Sequence, residues 1–202
     1  MTIARALMMA SRWVRYIGGS VAVGGTTLSL PAHQAGDLLV VLSLDGGAST
    51  SIPADWTVIF NDSGTRNYCC YKIAESDTET VSHWSTLYSY TRRCSFVWRG
   101  ARAQSPIGAV SYRQDDYGAL TVPAITANHS PSWLACIAGA KPSGVPFTDG
   151  GAPTDFPGMT LLLNNSAWRR AWDSNSPKGS LSLTTITAEY AAYVTVCLEI
   201  IP

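Results

Sequence analysis

Short apolar or alternating runs, each broken by Gly, Pro, Asn, Asp or Ser, fill this 202-residue chain from end to end, and few stretches carry a sustained helical period. A period of two places alternate side chains on opposite faces of a sheet, so each run reads as a strand and each break as a turn. Asp37–Leu44 (DLLVVLSL) is almost continuously apolar, the pattern of a strand covered on both faces. Trp13–Ile17 and Thr26–Leu30 precede it, and Trp56–Phe60, Asn67–Ala74, Arg93–Trp98, Trp133–Ala140, Met159–Leu163, Ala167–Trp172, Leu181–Ile186 and Tyr193–Ile201 follow, with weaker strands at Gly108–Tyr112 and Ala119–Val122. About a dozen short strands predict an all-β protein, an antiparallel β-sandwich of jelly-roll-like character.

The strands also fall into two related half-units. Asp37–Leu44, Pro53–Phe60, Asn67–Ala74, Glu79–Val81 and Arg93–Trp98 are echoed in order by Ser132–Ala140, Pro157–Leu163, Ser166–Trp172, Ser180–Ile186 and Tyr193–Ile201. Residues 35–202 are therefore expected to form the sandwich, with a pseudo-repeat of 35–101 and 132–202. Residues 1–34 are expected to supply an N-terminal arm and first strands that contact a partner. Trp13, Trp56, Trp98, Trp133 and Trp168 begin or end strands and are expected to plug the core. The pairs Gly18–Gly19, Gly24–Gly25 and Gly46–Gly47 read as hairpin turns.

Charge narrows the function classes. Charged residues make up 14% of the chain, against about 25% in an ordinary soluble domain, so part of the surface is expected to be covered by other subunits. Fourteen basic residues balance fourteen acidic ones, which gives no electrostatic footprint for nucleic acid and no self-repulsion between copies. Arg92, Arg99, Arg102, Arg169 and Arg170 read as interface arginines. The run at Met1–Ala10 is too short for a secretory signal, and no segment has the length of a membrane span. Cys69, Cys70, Cys94, Cys136 and Cys197 lack metal-ligand spacing and read as free, buried thiols, in keeping with assembly in a reducing cytoplasm.

Nothing in the pattern asks for catalysis or a cofactor. His33, His83 and His129 are scattered through loops and read as solvated or interface residues. No GxSxG elbow or phosphate loop occurs. Glu75, Asp77 and Glu79 read as a solvated turn, Asp115–Asp116 as a polar connection, and Asp149 with Asp155 as a further acidic pair. A retaining glycosidase needs two carboxylates about 5 Å apart, and an Asp115–Asp116 enzyme ranks third among the readings. Trp84, Tyr88 and Tyr90 differ from the other aromatics. They lie among hydroxyl residues (Ser82–Thr91), where they suit a subunit groove first and a sugar ring second.

Four segments carry a resemblance: Ala35–Val41 (AGDLLVV), Pro53–Thr57 (PADWT), Tyr71–Ala74 (YKIA) and Trp98–Ala101 (WRGA). In this progression the chain resembles a family of phage and prophage β-sandwich proteins associated with tails or virion surfaces. The resemblance covers residues 35–101; one departure is Asp55, where family members often carry Gly. It implies a non-enzymatic virion protein that decorates or joins surfaces of the capsid or tail. Its implied partners are other virion proteins and further copies of itself, with assembly in the host cytoplasm and neither nucleic acid nor membrane bound. The alternative is a carbohydrate- or receptor-binding module of a tail tip or head spike, in which Trp84, Tyr88 and Tyr90 hold a host glycan.

Overall fold

A computed structural model describes residues 13–23, 28–44, 52, 54–62, 67–80, 92–115, 119–140, 160–165, 169–173, 180–181, 184–190 and 193–202. These residues form an all-β, antiparallel sandwich. The first sheet contains β1 (Arg15–Val23), β2 (Leu38–Leu44), β3 (Thr57–Asp62), β4 (Asn67–Ile73) and β5 (Arg92–Arg99), in the order β1-β5-β2-β4-β3. The second contains β6 (Ile107–Asp115), β9 (Trp133–Ala140), β10 (Thr160–Asn165), β11 (Arg169–Asp173) and β14 (Tyr193–Ile200), in the order β10-β11-β9-β14-β6. Two short pairs complete the second half: β7 (Ala119–Val122) with β13 (Thr184–Tyr190), and β8 (Ile125–Thr126) with β12 (Ser180–Leu181).

Each sheet is drawn from one contiguous half of the chain, and the two halves share one topology. Read from β1 and from β6, the orders β1-β5-β2-β4-β3 and β6-β14-β9-β11-β10 match strand for strand. In both sheets only one pair of sequential strands is adjacent, β3 with β4 and β10 with β11. The pairing of the halves follows a pseudo-twofold relation. Strand β2 lies against its counterpart β9, while edge strand β1 lies against β10. At the opposite side Phe60 of β3 stacks on Tyr112 of β6, with centroids 4.5 Å apart and planes 9° from parallel. Gln114 adds a polar clasp there, donating to Asp62 and accepting from Asn67.

The interface between the sheets is the main core. Leu38, Val40, Leu42, Leu44, Phe96 and Trp98 from one side meet Trp133, Ala135, Ile137, Val194, Val196, Leu198 and Ile200 from the other. The outer face of the first sheet is covered as well: Leu39, Val41, Tyr68, Cys70 and Val97 pack with Leu28 and Trp56. Double cover explains why β2 is apolar at nearly every position and buried along its whole length.

Several expectations shift. Strand β1 pairs with β5 from Arg15 to Val23, so a boundary at residue 34 would cut through the sandwich; its edge strand belongs to the fold. Gly18 and Gly19 lie inside β1 beside a register shift at Tyr16/Gly18, where β5 supplies the hydrogen bonds that a hairpin turn would have lacked. Trp98 and Trp133 fill the main core and Trp56 the second cluster, but Trp13 is 61% exposed and rests edge-on against Trp133 at the rim. Trp168 and residues 1–12 lie outside the described residues.

Gly36 and Gly100 both sit at positive φ, +89° and +91°. A Cβ at Gly36 meets nothing within 4 Å, whereas at Gly100 it would lie 2.5 Å from the backbone oxygen of Trp13. Gly36→Ala is expected to cost about 1 kcal/mol through left-handed strain alone. Gly100→Ala adds a backbone collision and should cost roughly 1–3 kcal/mol more. Urea unfolding of the two variants checks the order; equal losses would contradict it.

Candidate functional site

The densest polar constellation grows from the way the two central strands are entered. A turn at Gln34–Asp37 leads into β2, and one at His129–Ser132 leads into β9. In the first, the Asp37 N–H donates to the Gln34 carbonyl (3.1 Å) while the Gln34 N–H donates to Asp37 Oδ2 (2.9 Å). In the second, which contains a cis Ser130–Pro131 bond, the Ser132 hydroxyl lies 3.0 Å from the His129 carbonyl. Each turn is then fastened by a charged residue from the last strand of its own half.

In the first half that residue is Arg99. Its Nε and a terminal nitrogen each donate to Asp37 at 2.8 Å, a bidentate pair around a carboxylate only 1% exposed. Burial pushes the Asp37 carboxyl up, but the bonds from Arg99 and the Gln34 N–H outweigh it and hold the group below its ordinary value.

In the second half the residue is Glu199, which is fully buried. It accepts the backbone N–H groups of Ala109 (2.7 Å), Asn128 (2.9 Å) and His129 (2.8 Å), and the Ser132 hydroxyl at 2.6 Å. Burial alone would raise its pKa. The Ala109 N–H, the Ser132 hydroxyl and the Asn128 and His129 N–H groups prevail and lower it to about 2.

Serine, histidine and a carboxylate thus converge, yet their connectivity is not that of a nucleophilic triad. A triad needs the serine hydroxyl on the imidazole and the acid on the far ring nitrogen. Here the Ser132 hydroxyl and His129 Nδ1 (3.3 Å) both turn to Glu199 Oε1, so the imidazole stands beside the serine and does not activate it. The group ties Ala109 at the start of β6 and the turn 128–132 to the core strand β14. Thr195 and Cys197 continue the same row: the Thr195 hydroxyl donates to the Thr121 carbonyl at 2.7 Å, and Cys197 Sγ lies 3.6 Å from the Pro123 carbonyl. Thr195, Cys197 and Glu199, alternate residues of β14, therefore pin the segment 121–129 over the outer face of the second sheet.

The acidic turn after β4 has a structural task too. Lys72 Nζ lies 2.9 Å from Asp55, 3.1 Å from Glu79 and 3.7 Å from Glu75. Glu79 also accepts the N–H groups of Glu75 and Ser76. The hydrogen bond from Lys72 lowers the Asp55 carboxyl; Glu79 is raised by burial but lowered further by the Glu75 N–H and Lys72. A glycosidase pair needs one carboxyl held protonated as the acid, and this cluster drives both of these the other way. Asp115 ends β6, 3.8 Å from Arg113, and Asp116, Asp149 and Asp155 lie outside the described residues. Among the described residues no group of three or more His, Cys, Asp or Glu side chains is arranged to hold a metal ion.

Of the expected interface arginines, Arg99 closes its guanidinium fork on Asp37 within the chain, with part of its side chain still exposed. Arg102 donates from Nε to the Ser105 carbonyl at 2.8 Å. Arg92, Arg169 and Arg170 occupy strand positions in β5 and β11, and their side chains lie outside the described residues, as do Trp84, Tyr88, Tyr90 and His83 entirely. His33 is buried, with Nδ1 2.7 Å from the Pro31 carbonyl, and so is not a solvated loop residue. All five cysteines are buried thiols outside any disulfide, and burial raises the Cys69 and Cys70 thiols well above their ordinary value.

The exposed apolar side chains concentrate elsewhere. Val58 is 49%, Val110 39% and Tyr112 50% exposed. They stand on β3 and β6, the edge strands that border the same side of the sandwich. Among the described residues neither strand has a partner along its outer edge. Comparison of the chain with family models, with curated proteins and with solved structures returns no match.

The Glu199 carboxyl gives up its proton more readily folded than unfolded. Its contribution to stability is therefore complete above about pH 4.5 and is lost as the pH falls towards 2. Glu199→Gln points an amide at donors that need an acceptor and should cost about 2–4 kcal/mol at pH 7. The gap to the parent protein should narrow steadily below pH 4.5. Thermal unfolding followed by circular dichroism from pH 7 to 2 checks both; a gap independent of pH would refute the assignment.

Proposed function

We propose that this chain is a structural protein of a bacteriophage virion that decorates or joins surfaces of the capsid or tail through protein–protein contacts. The observation that carries the reading is the side of the sandwich where, among the described residues, β3 and β6 have no neighbour along their outer edges and expose Val58, Val110 and Tyr112. Free edges with apolar side chains invite pairing, and proteins that leave them bare in solution usually guard them with charge. Here Val58 is exposed on the outer face of β3, and Val110 and Tyr112 on the inter-sheet face of β6 where it projects at the edge, in a chain with only 14% charged residues and no net charge. Neighbouring subunits of a particle, whether other virion proteins or further copies of this chain, would cover such a side. The AGDLLVV, PADWT, YKIA and WRGA segments support the same setting through their resemblance to phage and prophage sandwich proteins. The polar clusters fit it as well: the bonds of Asp37–Arg99, Glu199 and Lys72 brace turns and strand ends and present no reacting group.

A tagged copy should appear in purified particles as regular density on the head or tail, visible by negative stain. The double variant Val58→Asp, Val110→Asp should keep its melting temperature to within a few degrees, since exposed substitutions change stability by roughly 0.5 kcal/mol each. It should nevertheless be lost from particles by at least tenfold. Absence of the tagged parent chain from purified particles overturns the reading.

A further inference from the structure

We propose that Cys136 and Cys197 form a disulfide that locks β9 to β14 once the protein meets a thiol-oxidising environment. The two residues stand directly opposite each other in the antiparallel ladder. Directly opposed residues of such a ladder have Cα atoms about 4.5–5.5 Å apart, inside the window of about 4.4–6.8 Å that a disulfide spans. Their Sγ atoms already lie 2.7 Å from one another, both buried on the outer face of the second sheet beneath Pro123. No backbone movement is needed to bring the sulfurs together.

The other three cysteines are held where they cannot compete. Cys69 on β4 and Cys94 on β5 both align with Leu42, so the whole of β2 stands between them. Two strand spacings amount to about 9.5 Å, beyond the reach of a disulfide. Cys70 belongs to the cluster on the opposite face of that sheet. One pair is therefore singled out by register.

The reaction is thiol–disulfide exchange with a small-molecule disulfide such as oxidised glutathione. The thiolate of one cysteine attacks a glutathione sulfur, breaks its S–S bond and releases one glutathione thiolate. The second cysteine thiolate then attacks the protein sulfur of the mixed disulfide, forming the Cys136–Cys197 bond and releasing the second glutathione thiolate. Two protein thiols are oxidised, one glutathione disulfide is reduced, and the two protons pass to the departing thiolates. Because the segment 121–129 covers both sulfurs, exchange proceeds while that cover is open, during folding or local opening. The proposal is independent of the virion reading and would stand if that reading failed.

The full chain is unfolded in urea and refolded either with reductant or with a reduced/oxidised glutathione mixture. It is then quenched in acid and titrated for thiols under denaturing conditions. Five thiols are expected after reductant and three after glutathione, with peptide mapping showing Cys136 joined to Cys197 and a mass lower by about 2 Da. The oxidised form should also melt at a higher temperature than the reduced form. Cys136→Ser and Cys197→Ser should each show four thiols in both buffers. Five thiols in both buffers for the parent chain, a stable glutathione adduct, or a bond involving Cys69, Cys70 or Cys94 would overturn the proposal.

Discussion

The structure depends on the demand of its two central strands for cover on both faces. β2 carries Leu38, Val40, Leu42 and Leu44 on one side and Leu39 and Val41 on the other, all buried. β9 and β14 are buried throughout their described side chains in the same way. One face of each sheet is satisfied by the opposite sheet, which builds the main core. The outer faces need a further layer, taken from segments outside the two five-stranded sheets: Leu28 and Trp56 over the first sheet, and residues 121–129 over the second. Burial of apolar area supplies the drive, but a covering segment brings backbone polar groups with it, and those must find partners.

The charged residues of the interior answer that need. Glu199 gathers N–H groups from two separate stretches of chain, and Asp37 accepts that of Gln34 together with the guanidinium of Arg99. The two halves solve one geometric problem with opposite distributions of charge. In the first, the turn supplies the anion and the last strand the cation; in the second, the last strand supplies the anion and the turn answers with N–H groups and a hydroxyl. This difference shows why the halves can share a topology while their motifs diverge.

Strand identity was largely readable because period two, β-branched residues and turn formers coincide at almost every element; even the related half-units follow from the order of segments. The end of the chain shows where reading stops. Tyr193–Ile200 alternates Thr195, Cys197 and Glu199 with Val194, Val196 and Leu198, the pattern of a strand wet on one face, yet Glu199 is buried under the turn 128–132. Periodicity tells which residues share a face but not what lies over that face. The one available hint was a lone carboxylate inside the apolar run VCLEII. The Arg99–Asp37 pair is illegible for a similar reason: the sequence neighbours of Arg99 place it at a turn, and only the fold brings it to Asp37, 62 residues earlier. Gly18 and Gly19 misled because a glycine pair marks a bulge inside an edge strand as readily as a hairpin.

The packing of β2 on β9, β1 on β10 and β3 on β6 describes an object with an internal dyad, two equivalent sheets clasped face to face and joined through residues 100–106. A polypeptide comprising only one of these sheets would leave its inner leucines and tryptophan in water. The surface of complementary shape nearest to hand would be the same face of an identical molecule. The present chain is thus built like a dimer whose subunits share one backbone. That linkage fixes the stoichiometry at one to one at any concentration and leaves each sheet free to specialise its outer layer.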